Sequence, residues 1–75
     1  MKVSEILQSD MVNDNTVLYI SKPIGGTGMD IRRKGYWYTD DIASFAESKI
    51  TKLTYIASEN KIYLEVKEVD TNDVW

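Results

Sequence analysis

The chain has 75 residues, neither cysteine nor histidine, and nine Lys and Arg against twelve Asp and Glu, for a net charge of −3. This length supports one domain with a thin core, and the composition excludes disulfides, thiol nucleophiles and histidine proton shuttles, while the charge argues against a protein wrapped around a polyanion. The apolar runs are far shorter than the roughly 20 residues that span a bilayer, so we predict no membrane contact and a cytoplasmic protein.

The N-terminal third predicts a short amphipathic helix and a first strand. Val3, Ile6 and Leu7 recur at the spacing of one helical face. Residues 16–21, TVLYIS, are rich in β-branched and aromatic side chains and predict a strand. We expect this strand to end before Pro23, because proline cannot donate to a ladder.

The segment 21–41, SKPIGGTGMDIRRKGYWYTDD, combines a glycine loop with basic and aromatic residues. A phosphate-binding loop needs a helix directly after its glycines, and none is indicated here, so residues 23–28 predict a hairpin loop. A second strand follows, with a bulge or bend at Gly35. In an unbroken strand the odd positions, including Ile31 and Trp37, face the core.

The even positions of that strand form the candidate interaction surface, which consists of Arg32, Lys34, Tyr36 and Tyr38. Tyrosine and arginine are enriched in the hot spots of protein interfaces. Basic groups beside aromatic rings also form surfaces for single-stranded nucleic acid. The acidic remainder of the chain favours an unknown protein partner, with a homodimer as one form of it. A nucleic-acid-binding module using segment 32–38 is the alternative, and a solvated strand face without a ligand also fits.

The C-terminal half predicts a helix and a β-hairpin. Residues 39–49, TDDIASFAESK, place Ile42 and Phe45 on one helical face and begin with acids that complement the helix dipole. Residues 50–57 and 61–69 are strand-like runs separated by turn-forming residues. In the last run the apolar residues alternate strictly with polar ones or tyrosine, which is typical of a sheet covered on one side.

The predicted order of elements is α-β-β-α-β-β, a two-layer α+β domain with a mostly antiparallel four-stranded sheet and two short helices. Residues 1–69 form this single domain. Residues 70–75 form a polar C-terminal tail, in which Trp75 is either loose or docked on the sheet. The predicted core consists of Val3, Ile6, Leu7, Leu18, Ile20, Ile31, Trp37, Ile42, Phe45, Ile50, Leu53, Ile62, Leu64 and Val66.

Catalysis is the least favoured class of function. Without histidine or cysteine, a serine nucleophile lacks its usual base and the common transition-metal ligands are missing. Asp40 and Asp41 are adjacent at a predicted helix start, where they point apart and complement the dipole. We therefore predict a non-enzyme with no catalytic, cofactor-binding or metal-binding residues.

Several segments together carry a resemblance to a known group. They are a KVSEIL helix, a TVLYI strand, Gly35 followed by Trp37, and a strand pair containing KITKL and KIYLEV. This organisation resembles small uncharacterised proteins encoded by phages and prophages of Gram-positive bacteria, through about Val69. The resemblance implies a bacterial cytoplasmic setting, a core position for Trp37 and an accessory protein that acts by binding. It transfers no functional residue, and it leaves open an acidic decoy of nucleic acid, which a net charge of −3 weakens.

Overall fold

Among residues 1–25 and 28–67 the sheet consists of four strands. They are β1 (Val17–Ile24), β2 (Met29–Gly35), β3 (Ile50–Ile56) and β4 (Lys61–Val66). In the computed structural model, which describes residues 1–25 and 28–67, β1 and β2 form one antiparallel hairpin and β3 and β4 form another. The hairpins join through β1 and β4, which run parallel, and the order across the sheet is β2-β1-β4-β3.

In the described part of the chain, three short helical segments accompany these strands. Helix α1 (Val3–Leu7) precedes β1, helix α2 (Asp40–Ala43) links β2 to β3, and a 3-10 helix (Ala57–Glu59) lies between β3 and β4. The predicted α+β class, with a four-stranded sheet and two short helices, is confirmed. The element order differs from the prediction, since the 3-10 helix occupies the link where the sequence predicts only a turn.

The prediction of a mostly antiparallel sheet is wrong, because the sheet is mixed. The two central strands, β1 and β4, carry the fully buried strand residues, which are Leu18, Ile20, Ile62, Leu64 and Val66. Strands that bury the most apolar surface are stabilised most by a central position, whereas the charged β2 is better placed at an edge. Since α2 connects β2 at one edge to β3 at the other, this arrangement makes β1 and β4 parallel.

The core lies between the two helices and one face of the sheet. Val3, Ile6 and Ile42 from the helices pack against the buried residues of β1 and β4. The predicted core is confirmed except for Ile31, which is half-buried outside this cluster, and Trp37, which is exposed. The partly buried residues packed around the core are Leu7, Met11, Val12, Phe45, Ile50 and Leu53.

The second helix is much shorter than predicted. Residues 39–49 predict a helix, but α2 has four residues and tight turns follow it. The carbonyl groups of Ala46 and Ser48 accept hydrogen bonds from the backbone N–H groups of Ser4 and Val3, at 2.9 and 3.0 Å. These tertiary hydrogen bonds satisfy the first amides of α1.

The N-terminal residues cover the start of β3. Ile50 donates its N–H to the carbonyl of Met1 at 2.8 Å, and Lys2 and Lys49 form an isolated antiparallel bridge. The Lys2 ammonium also lies 2.7 Å from the Glu47 carboxylate. This hydrogen-bonded ion pair raises the pKa of Lys2 and lowers the pKa of Glu47.

Several predictions concern residues outside the described part of the chain. Gly26 and Thr27 belong to the predicted hairpin loop, and residues 68–75 include the predicted domain end at 69, the tail 70–75 and Trp75. Among the described residues, neither helix has the length or the apolar character needed to cross a membrane.

A small polar network joins the loop before β1 to the turn before β4. The hydroxyl of Thr16, the buried polar residue of this region, donates to Asn60 Oδ1 at 2.8 Å and accepts from the backbone N–H of Asn13 at 2.9 Å. Asn60 adopts a left-handed conformation, with φ of 54°, which asparagine tolerates better than most residues. The N–H of Val17 donates to the carbonyl of Asn60 at 3.0 Å. This network therefore fixes where the parallel pairing of β1 and β4 begins.

We expect Thr16→Val to lower the free energy of unfolding by about 1–3 kcal/mol, because it removes the two hydrogen bonds of a buried hydroxyl while keeping the side-chain shape. Urea denaturation measures the change. The matched control is Thr51→Val, where an exposed hydroxyl bonds to the Glu65 carbonyl at 3.1 Å, and there we expect a change within about 0.5 kcal/mol. Equal losses in the two variants would contradict a structural role for the network.

Candidate functional site

The side of the sheet opposite the helices presents polar and aromatic side chains. Along β1 and β4 these residues alternate with the core residues, so Tyr19 and Ser21 lie beside Tyr63 and Glu65. Among the described residues, both helices contribute their buried residues to the core on the other side of the sheet. No helix of this part of the chain therefore packs on the polar side. We call this side of the sheet the open face.

Two stacked tyrosines stand at the centre of the open face. Tyr19 and Tyr63 are direct partners in the parallel pairing of β1 and β4. Their ring centroids are 4.6 Å apart and their planes differ by 10°. Tyr63 remains 40% exposed. The pair therefore forms an aromatic surface on the two central strands of the sheet.

Lys34 closes the other side of the Tyr19 ring. Its ammonium group lies 5.6 Å from the centroid of that ring, which is within the range of a cation–π interaction. Lys34 comes from β2 and Tyr63 from β4, and these strands flank β1 on opposite sides. Both faces of the Tyr19 ring are thus occupied within the protein, so a ligand would approach this ring at its edge.

Positive charge collects around the tyrosine pair. The open face holds a shallow depression of ≈ 520 Å³ whose lining includes three cationic residues of that face, Arg33 from the other side of β2 and the acidic residue Glu65, although the whole chain carries a net charge of −3. Its electrostatic character is therefore opposite to that of the protein as a whole, which favours an anionic ligand. The lining residues are Tyr19, Ile20, Ser21, Arg32, Arg33, Lys34, Lys52, Thr54, Tyr63, Leu64 and Glu65.

The structure divides the candidate surface predicted from the sequence. Arg32 and Lys34 pair with Ser21 and Tyr19 and lie on the open face, as the strand alternation predicts. Tyr36 and Tyr38 follow the end of β2 and stack on each other, with centroids 5.5 Å apart. Arg32 and Lys34 line the depression, whereas Tyr36 and Tyr38 are not among its described lining residues.

The predicted core position of Trp37 is wrong. Its side chain is 42% exposed, and its indole N–H donates to Asp14 Oδ1 at 2.9 Å. The chain leaves the strand at Gly35, where a Cβ atom would lie 3.0 Å from three side-chain atoms of Thr39. The Thr39 hydroxyl accepts the backbone N–H of Tyr36 at 3.0 Å. Gly35 therefore permits a tight turn in which the alternation of the strand no longer applies.

Three residues that give the open face its aromatic and cationic character lie outside the surface predicted from the sequence. Tyr19 and Tyr63 each occupy a polar position in an alternating strand, and Lys52 lies opposite Glu65 on β3. The useful signal was the pair of tyrosines on the polar sides of two different strands. Only the parallel register of β1 and β4, which joins residues 44 positions apart, places them in contact.

Neither a metal-binding cluster nor a related protein identifies the site. Within residues 1–25 and 28–67, no group of three or more acidic side chains is arranged to hold a metal ion. Comparison with known protein families, curated proteins and solved structures found no match to this chain. The functional argument therefore rests on the chemistry of the open face.

We expect a double-mutant cycle of Tyr19→Ala and Tyr63→Ala to give a coupling energy of about 0.5–1.5 kcal/mol, as for other aromatic pairs. Denaturant unfolding of the two single variants and the double variant measures it. The control cycle replaces Tyr19 and Tyr55, since Tyr55 lies opposite the core residue Ile62 and faces the other side of the sheet. We expect its coupling to stay below about 0.5 kcal/mol. Similar values in both cycles would show that the stack adds nothing specific.

Proposed function

We propose that this chain is a small non-catalytic binding protein whose open face contacts an acidic segment of a protein partner. The observation that carries the proposal is the stacked tyrosine pair beside three cationic residues and one acidic residue of the open face, in a chain of net negative charge. Complementary charge steers association and selects partners. Tyrosine and arginine supply much of the binding energy at protein interfaces.

The stacking leaves the pair with at most the outer face of Tyr63 for base stacking, which favours a protein partner over single-stranded nucleic acid. A base-stacking platform needs an aromatic ring with a free face. The two faces of Tyr19 are taken by Tyr63 and Lys34. Ring edges and phenol groups, together with the neighbouring cations, suit carboxylate and backbone groups of a polypeptide. The cations alone would also suit phosphates, so nucleic acid remains the rival ligand.

The cellular setting is a further part of the proposal. The short segments that resemble phage and prophage proteins of Gram-positive bacteria support an accessory protein in the bacterial cytoplasm. The sequence supports a non-catalytic role, since it contains no histidine or cysteine and so lacks the commonest general base and thiol nucleophile.

We expect a short glutamate-rich peptide to shift the amide NMR signals of Tyr19, Arg32, Lys34 and Tyr63 in the protein. A lysine-rich peptide of equal length should cause no such shifts. Lys34→Glu should weaken the affinity for the glutamate-rich peptide by about tenfold, since it replaces an electrostatic attraction with a repulsion. The matched control is Lys22→Glu, which makes the same charge change on the helix side of the sheet, where Lys22 lies over the Phe45 ring.

Other ligands decide between the proposal and its rival. Binding of an oligothymidylate with a steep loss of affinity on adding salt, in the absence of peptide binding, would replace the protein partner with nucleic acid. Equal binding of both peptides, or binding of neither, would contradict an acidic protein partner at this face.

A further inference from the structure

The outer edge of β2 carries backbone groups that have no strand beside them among the described residues. β2 is the last strand on its side of the sheet. Its residue Asp30 lies opposite Pro23 of β1. Because proline has no N–H, this pair does not exchange the two backbone hydrogen bonds of a hydrogen-bonded pair. The N–H and C=O groups of Asp30 therefore point away from β1, toward the outer edge.

The same orientation recurs at every second residue. Backbone direction alternates along a strand, so Arg32 and Lys34 also direct their N–H and C=O groups outward. Arg33 provides independent support, since its Nη1 donates to the carbonyl of Arg32 at 2.7 Å. The guanidinium thus occupies a place that the N–H of a neighbouring strand would take.

The opposite edge of the sheet is covered at its start. At the start of β3 the outward backbone groups bond to the N-terminal residues, with Ile50 N–H donating to Met1 and Val3 N–H donating to the carbonyl of Ser48. The two edges are thus unequal, and β2 offers the more complete row of outward groups.

The charges of β2 match an acidic strand. Arg32 and Lys34 project on the open face, and Arg33, which pairs with Ile20, starts from the opposite side and reaches the edge. Asp30 is the one acidic side chain of the strand and lies 3.5 Å from Arg32. A strand added at this edge would place its alternate side chains next to Arg32 and Lys34.

We propose that the acidic partner segment binds as an extended strand added to the outer edge of β2, with acidic side chains at alternate positions facing Arg32 and Lys34. This inference rests on the proposed function and specifies how the partner is held. Strand addition gives affinity through main-chain hydrogen bonds and selectivity through alternate side chains. The neighbouring tyrosine pair would then extend the contact across the open face.

Residue-resolved hydrogen exchange tests this mode of binding directly. The probe is an extended peptide with glutamate at alternate positions and threonine between them. Its binding should slow the exchange of the Asp30, Arg32 and Lys34 amides about tenfold or more, whereas Ile31 and Arg33, which already face β1, should change little. Peptide binding without this alternating protection would overturn strand addition and leave the proposed function in place. No binding of the peptide would overturn both.

Two further probes separate strand addition from the other roles of a charged edge. In an added strand only every second peptide N–H donates toward β2. N-methylation of these residues should weaken the affinity of the peptide about tenfold, whereas N-methylation of the intervening residues should leave the affinity unchanged. Equal losses would contradict strand addition.

Charged edge residues also serve to block pairing. If Arg33→Ala increased self-association while the peptide gave no alternating protection in either protein, Arg33 would be an edge block and the proposal would fail. If the Asp30, Arg32 and Lys34 amides became protected from exchange as protein concentration rose without peptide, the edge of β2 would instead pair with a second copy of this chain.

Discussion

The parallel contact between β1 and β4 is the constraint on which the rest of the structure depends. It brings Leu18 beside Ile62 on the helix side and Tyr19 beside Tyr63 on the open face. Since neighbouring positions on a strand point to opposite sides of the sheet, one register sets both layers. A shift of one residue would expose the core positions and separate the tyrosines. The network around Thr16, whose hydroxyl bonds to Asn60, holds this register at the beginning of both strands.

The distribution of charge follows from the same arrangement. The two edge strands supply Arg32, Lys34 and Lys52 to the open face. The acidic residues Asp40 and Asp41 lie instead in α2, on the connection between the edges. An acidic chain therefore presents a basic face. This separation depends on β2 lying at an edge, because Arg33 starts from the helix side of β2 and a central position would bury its charge at considerable cost.

Pro23 connects the fold to the edge of the sheet. It lies within β1, opposite Asp30, in a place where the ladder requires no N–H. The sequence predicts that the strand stops before it, since proline usually interrupts pairing. The tertiary structure tolerates Pro23 for two reasons. Its backbone faces away from β2, and on the other side the pairing of β1 with β4 has already ended at Ser21, so neither neighbour requires an N–H there. The same geometry turns Asp30, Arg32 and Lys34 outward.

The sequence alone determined the local features. Alternation in β4 and the turn-forming residues before it predicted the second hairpin, and the positions of Arg32 and Lys34 on one side of β2 followed from strand geometry. The tertiary structure alone decided that β1 pairs with β4, that α2 stops after four residues and that Trp37 donates to Asp14. Each of these depends on hydrogen bonds or packing between residues far apart in sequence, and no local pattern of residues specifies such a pairing. For the same reason Tyr63 became a neighbour of Tyr19 only once the two hairpins were joined.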